Sequence, residues 1–140
     1  MMSYHKIEDL AVYMLAEEFS NEIWDIVVRW DFFAKDTVGK QICRASDSIS
    51  ANIAEGYGRY HFKENKNFCY YSRGSILEVK SFLRKAKHRS LITEEEYSNL
   101  FNKLGIIHVK LNAYIKYIGA KQANVIPTKQ TNEQMNPMNK

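Results

Sequence analysis

Proline is nearly missing from this chain: Pro127 and Pro137 are the only two, and both sit close to the C-terminus. A long proline-free stretch with little strict alternation of apolar and polar residues argues for helices, because proline is the residue that helix interiors exclude most strongly. Cysteine is equally scarce. Cys43 and Cys69 lie far apart, with no CxxC and no Cys/His pairing nearby. That excludes a disulfide framework and a zinc motif, and leaves two small buried or half-buried thiols in a reducing cytosol. Histidine occurs four times, and the residues three positions before His5, His61, His88 and His108 are Met2, Gly58, Lys85 and Gly105. No Glu-x-x-His exists, so a di-metal carboxylate site of the helical-bundle kind is excluded. Phosphate-binding and dinucleotide-binding glycine signatures are missing as well. No metal and no cofactor are expected. The apolar runs are a few residues long, too short to span a membrane. The opening MMSYHKIEDL lacks the basic-then-apolar layout of a signal peptide, so a cytoplasmic protein is expected.

What is present is ordinary for one globular domain: 140 residues, 45% hydrophobic and 26% charged. A first helix is predicted from near Glu8 to Arg29 or Trp30. Its seam is Val12, Ala16, Phe19, Ile23, Ile26 and Trp30, with an acidic face of Glu18, Glu22 and Asp25 opposite. After a connection at residues 31–35, Asp36 or Thr37 is placed to cap the second helix. There Ile42, Ala45, Ile49, Ile53 and Gly56 share one stripe. Ala45, Ser46, Ala51 and Ala54 keep the surface shallow, so that neighbouring backbones can come close. Gly56 and Gly58 read as a glycine stop in the left-handed conformation.

The third helix is predicted over residues 62–89 with a seam of Phe68, Ser72, Ser75, Val79, Phe82 and Ala86. The fourth opens on Thr93-Glu94-Glu95-Glu96, a capping box, and carries a broad apolar face to about Gly119. The expected architecture is all-α, an up-down-up-down antiparallel four-helix bundle over residues 1–119. A polar, disordered tail is expected over 120–140.

The run Gln41-Ile42-x-Arg44-Ala45-x-x-Ser48-Ile49-x-x-Asn52-Ile53-Ala54-Glu55-Gly56-x-Gly58-Arg59 resembles the bacterial four-helix-bundle family of intervening-sequence proteins. These are encoded by reading frames inside insertions of large-subunit ribosomal-RNA genes. A second signature, Glu64, Phe68 and Arg73-Gly74-Ser75-x-x-Glu78, is similar to that family too. The likeness extends from about Leu10 to Ile118. His61 stands where a small hydroxyl residue usually opens the third helix, Asn65 where an apolar residue is usual, and Ser72 where alanine is usual. The family is in turn similar to the accessory variability protein of diversity-generating retroelements. That resemblance implies a ring-shaped homo-oligomer, a pentamer, with nucleic acid or a nucleic-acid enzyme as partner. From the residues themselves, the hint of an oligomer is apolar surplus: Trp24, Val28, Tyr70 and Leu77 lie off their helices' seams.

The net charge of +4 is unevenly spread. Residues 1–35 carry −4, residues 36–90 carry +6, residues 91–119 are neutral and the remainder carries +2. On the third helix Lys66, Arg73, Lys80, Arg84 and Lys87 fall within an arc of about 60° on the wheel, opposite the predicted seam. Such a stripe can track phosphates without reading sequence. It can equally be a solvated face, or dock on the Glu18-Glu22-Asp25 face of a neighbouring subunit. Arg44, with Lys40 one turn away on the second helix, would extend the same field.

Ser48, Asn52, Glu55 and Arg59 form a second stripe on the second helix. Without a His or a metal partner they make a poor nucleophile system. They are expected to be a structural polar network tied to Ser75 and Glu78. The chain therefore reads as a non-enzymatic oligomeric module holding RNA or DNA through Arg44, Lys66, Arg73, Lys80, Arg84 and Lys87. The alternative is a homo-oligomeric protein-interaction scaffold without a nucleic-acid role.

Overall fold

The structure, a computed structural model, describes residues 6–130, with side chains through residue 124. A 3-10 turn at Ile7–Asp9 leads into α1, Ala11–Val27, followed by α2 at Lys40–Tyr57, α3 at Phe62–His88 and α4 at Glu94–Gln130. Helices adjacent in sequence pack side by side and α1 closes against α4, with α2 and α3 in the most extensive contact. No strand occurs among the described residues. This is the expected all-α four-helix bundle.

The seam of α1 holds Val12, Ala16, Phe19 and Ile23 as expected, joined by Ser20 and Val27, while Ile26 and Trp30 are only half-buried. The α2 stripe of Ile42, Ala45, Ile49, Ile53 and Gly56 is buried throughout. Each large side chain so buried contributes about 1.5–3 kcal/mol relative to exposure. On α3 the buried set is Asn65, Cys69, Ser72, Ile76, Val79, Leu83 and Ala86. The expected seam shares only Ser72, Val79 and Ala86 with it. Phe68, Ser75 and Phe82 sit on the flank, half-buried. Both frames keep the same seven-residue repeat, and α3 has apolar residues on either side of it because α2 and α4 each pack against a flank.

The second helix begins earlier than expected. Asp31 caps it, its side chain accepting from the Ala34 N–H at 2.9 Å. An α turn, Phe32–Ala34, and a π turn, Lys35–Gly39, run directly into α2. The wide turn accompanies a tight contact: a Cβ on Gly39 would lie 2.8 Å from Val27 Cγ1 and 3.1 Å from the Ala34 carbonyl oxygen.

Helix α2 does end at Tyr57 with Gly58 as its C-cap, as expected, but neither Gly56 nor Gly58 takes the left-handed conformation that was expected of them. Gly56 is instead the point of closest approach between α2 and α3. A Cβ there would lie 2.6 Å from Asn65 Oδ1, 2.9 Å from the Asn65 carbonyl oxygen and 2.9 Å from Phe68 Cβ. One turn along, the buried Ser72 hydroxyl donates to the Ile49 carbonyl at 2.8 Å. Asn65 reaches the other way, its amide donating to Tyr114 Oη at 3.3 Å and its Oδ1 accepting from the Cys69 thiol at 3.8 Å. Asn65 and Ser72, two of the departures from the family pattern, are thus buried and bonded.

His61 opens α3 without a side-chain cap. At its other end the Leu91 N–H returns to the Ala86 carbonyl at 2.8 Å, and Ser90 takes φ 61°. This is the turn that usually carries glycine at the left-handed position. The α4 capping box forms as expected, with Glu96 N–H donating to Thr93 Oγ1 at 3.0 Å and Thr93 N–H to Glu96 Oε1 at 2.9 Å. That helix continues past Gly119 to Gln130, with Pro127 in its last turn, where a disordered tail was expected from residue 120. The remainder of the expected tail, 131–140, lies outside the described residues.

Two stability measurements follow. Gly56→Ala forces backbone and Asn65 apart and should destabilise by about 1–3 kcal/mol in chemical denaturation. Ser90→Gly relieves the left-handed strain and should stabilise by about 1 kcal/mol.

Candidate nucleic-acid interface

The frame of α3 decides where its cations stand. With Asn65, Ser72, Val79 and Ala86 buried, Lys66, Arg73, Lys80 and Lys87 follow each of them by one residue and so form a row at seven-residue intervals. That row flanks the core and borders α4. The expectation that it lies opposite the seam came from the shifted frame.

Arg73 and Lys80 are half-buried against α4, as their contacts show. Arg73 Nη1 donates to Asn112 Oδ1 at 2.8 Å, and its guanidinium lies 5.1 Å from the Tyr70 ring centroid. Lys80 Nζ sits 3.3 Å from His108 Nδ1 and 5.7 Å from the Phe101 ring centre. Arg84, one turn on and exposed, covers the same Phe101 ring at 5.4 Å. Lys87 pairs with Glu94 at 3.2 Å and stands 4.5 Å over Tyr97. Lys66 is half-buried at the far end of the row. Each ring face attracts the cation above it, and the aliphatic stems pack on the rings, so the heads are positioned rather than left to sweep through solvent.

Burial, then the positive charges of Lys80 and Arg73, lower the His108 pKa from its ordinary value. The imidazole is therefore neutral at neutral pH. Because an ammonium can only donate, Nδ1 is the acceptor from Lys80 and the ring proton sits on Nε2.

The sequence reading missed what α4 brings to this surface. Tyr97, Phe101, His108 and Asn112 share one flank of α4, spaced four, seven and four residues apart. Tyr97 and Phe101 fall within the broad apolar face that the sequence predicts for this helix, and the sequence reading considers His108 only as a metal ligand.

Arg44 stands apart from the row. It is exposed on α2, donating to Gln41 Oε1 at 3.1 Å, and α2 packs on the other flank of α3. The Ser48-Asn52-Glu55-Arg59 stripe lies there too and is bonded along its own helix. Ser48 Oγ donates to the Arg44 carbonyl at 2.8 Å, Asn52 Nδ2 to the Ser48 carbonyl at 2.9 Å, and Arg59 to Glu55 at 2.8 Å. Its reach to α3 is the Arg59 guanidinium, 4.9 Å over the Phe68 ring. Ser75 is half-buried and Glu78 exposed, and among the described residues neither is hydrogen-bonded to that stripe.

On the opposite side of the bundle, Lys103 of α4 clamps both carboxylate oxygens of Glu22, at 2.8 and 3.0 Å. Part of the acidic face of α1 is thereby neutralised within the chain. Both thiols are free, and burial pushes Cys69 up to about 12 while burial and then Asp47 raise Cys43. Neither is an activated nucleophile. Among the described residues no cluster of His, Cys, Asp and Glu is placed to hold a metal, and no helix is long and apolar enough to cross a membrane.

Comparison with known proteins places this bundle. It is similar to the crystal structure of a protein of unknown function from the S23 ribosomal protein family of Bacteroides thetaiotaomicron. The TM-score is 0.69 and the identity 24%, over 76% of this chain and 96% of that one. At that identity the likeness shows the fold. No curated protein matches the chain. The model of the family described as 23S rRNA-intervening sequence protein matches residues 8–113, which takes in α1, α2, α3 and the capping box and N-terminal half of α4. This chain belongs to the 23S rRNA-intervening sequence protein family.

Proposed function

We propose that this protein is a non-enzymatic, oligomeric binding module that holds RNA or DNA along the row of cations at the α3–α4 seam. One observation carries the reading. Arg73, Lys80 and Arg84 are set over Tyr70 and Phe101, while the carboxylate paired to the row is Glu94 at its end. From Lys66 to Lys87 the row spans roughly 30 Å at 1.5 Å per residue, long enough to meet several phosphates. No side-chain pattern on this seam suits the reading of base edges, so the contacts are to the backbone of the nucleic acid. Arg44 lies outside the principal surface.

Assembly belongs to the same proposal. Trp24, Val28, Phe32, Phe33, Ile106 and Val109 are exposed, more apolar surface than a solitary bundle needs to leave open. The family's likeness to the accessory variability protein of diversity-generating retroelements implies a pentameric ring and a nucleic-acid enzyme as partner. The same apolar surface favours the second reading, a homo-oligomeric scaffold that binds protein alone.

Fluorescence anisotropy with a labelled single-stranded RNA separates the two. Binding should weaken steeply with salt, with a log–log slope of about −3 for four phosphate contacts. Arg73→Glu with Lys80→Glu should lower affinity at least tenfold, whereas Arg44→Glu should change it by less than threefold. A thermally stable protein that ignores RNA and DNA at low salt contradicts the nucleic-acid reading. Dissociation of the oligomer by the double charge reversal would assign the row to a subunit contact.

A further inference from the structure

The middle of the row is built differently from its ends. Around His108 the structure gathers the Arg73 guanidinium, the Lys80 ammonium and an imidazole whose Nε2 carries the proton. Asn112 adds a fourth group. Its Oδ1 is taken by Arg73, which leaves the amide N–H2 as donor. All four present donors and none presents a free carboxylate. The charged groups that face the imidazole are Lys80 and Arg73 of α3. On its own helix, the residues one turn away are Leu104, Gly105, Leu111 and Asn112, and none of them titrates. Lys87, by contrast, already has Glu94.

Gly105 is the second observation. It lies mid-helix with ordinary negative φ, one turn from both His108 and Phe101, and a Cβ added to it would meet nothing within 4 Å. Glycine there costs about 1 kcal/mol of helix propensity relative to alanine, and no packing contact requires it. Its effect is to leave the seam open beside the donors.

We infer that Arg73, Lys80, His108 and Asn112 form a phosphodiester-binding subsite in which His108 is a ligand and a proton-controlled latch on Lys80. The inference rests on the nucleic-acid reading and assigns the place where it is strongest. In the free protein the neutral imidazole accepts from Lys80 and holds the ammonium against α4. Protonation of Nδ1 removes that acceptor. The ring then donates from both nitrogens, and the Lys80 head is released toward the same anion. One proton therefore adds a charge and frees another. With no anion present, the imidazolium would be partly desolvated and would face Lys80 and Arg73 unscreened, which is why the free protein disfavours it. A bound phosphodiester reverses that balance, and by linkage the ligand raises the pKa of His108 as the proton raises affinity for the ligand.

The test uses oligothymidylate, whose phosphodiesters and bases do not titrate between pH 5.5 and 8, so any pH dependence belongs to the protein. Affinity should rise about tenfold or more from pH 8 to pH 5.5, the scale of one hydrogen bond to a charged group. His108→Gln, checked for unchanged melting temperature at pH 8, should bind and lose that dependence. His61→Gln and His88→Gln should keep it. The His108 imidazole, followed by NMR, should titrate at higher pH with oligothymidylate bound than without. Gly105→Leu, which fills the opening while favouring the helix, should raise thermal stability and weaken binding. A wild-type protein that binds equally across this range, or a His108→Gln protein that retains the pH dependence, overturns the inference and leaves the nucleic-acid reading standing. A wild-type protein that binds at no pH overturns both.

Discussion

Everything in this bundle depends on how closely α2 approaches α3. The contact is made where side chains are smallest. Gly56 leaves no room for a Cβ against Asn65, and Ser72 bonds the Ile49 carbonyl directly across the interface. A backbone carbonyl that is already bonded within its helix can accept this second hydrogen bond, and burying the hydroxyl unpaired would cost about 1–3 kcal/mol. The pairing therefore resists rotation of α3 about its axis. That fixed rotation places Asn65, Ser72, Val79 and Ala86 inward, and with them it places Lys66, Arg73, Lys80 and Lys87 along the border with α4. The surface chemistry of the protein follows from a packing constraint in its core.

Among the described residues the cationic row has little to offset it. Exposed cations usually cost nothing because water screens them, and exposed ion pairs contribute little. Here two of the row's members are half-buried against a helix that offers rings, an amide and an imidazole, with one carboxylate at the end. Aromatic faces attract cations by a fraction of what a counter-anion provides. The arrangement thus leaves positive charge on this seam that, among the described residues, one paired carboxylate offsets. The acidic face of α1 is a less suitable counterpart in a neighbouring copy, since Lys103 already occupies both oxygens of Glu22.

Much of the fold was legible in the sequence because it rests on local rules. The Thr93–Glu96 box, the extent of α3 and the buried stripe of α2 need only spacing and capping chemistry. The rest depended on tertiary contact. The seven-residue repeat of α3 is satisfied equally by Phe68, Ser75 and Phe82 or by Cys69, Ile76 and Leu83, and only the approach of Gly56 selects the second. That one-position shift moved the basic row from an imagined outer face to the α4 border. It also concealed His108, Asn112 and Phe101 as its neighbours. Gly56 was read for backbone freedom, when the structure uses its lack of a side chain. Asp31, rather than Asp36 or Thr37, caps the second helix because a π turn lets the chain pass Val27 without a break.

The most direct test of the account is a map of where nucleic acid touches the protein. A photoreactive single-stranded RNA crosslinked to the full-length protein, followed by mass spectrometry of the modified peptides, reports that without assuming any residue's role. The account predicts crosslinks to Tyr70, Phe101 and their neighbours on the two sides of the α3–α4 seam. Crosslinks confined to α1 or to the outward side of α2, with the seam unmodified, would contradict it.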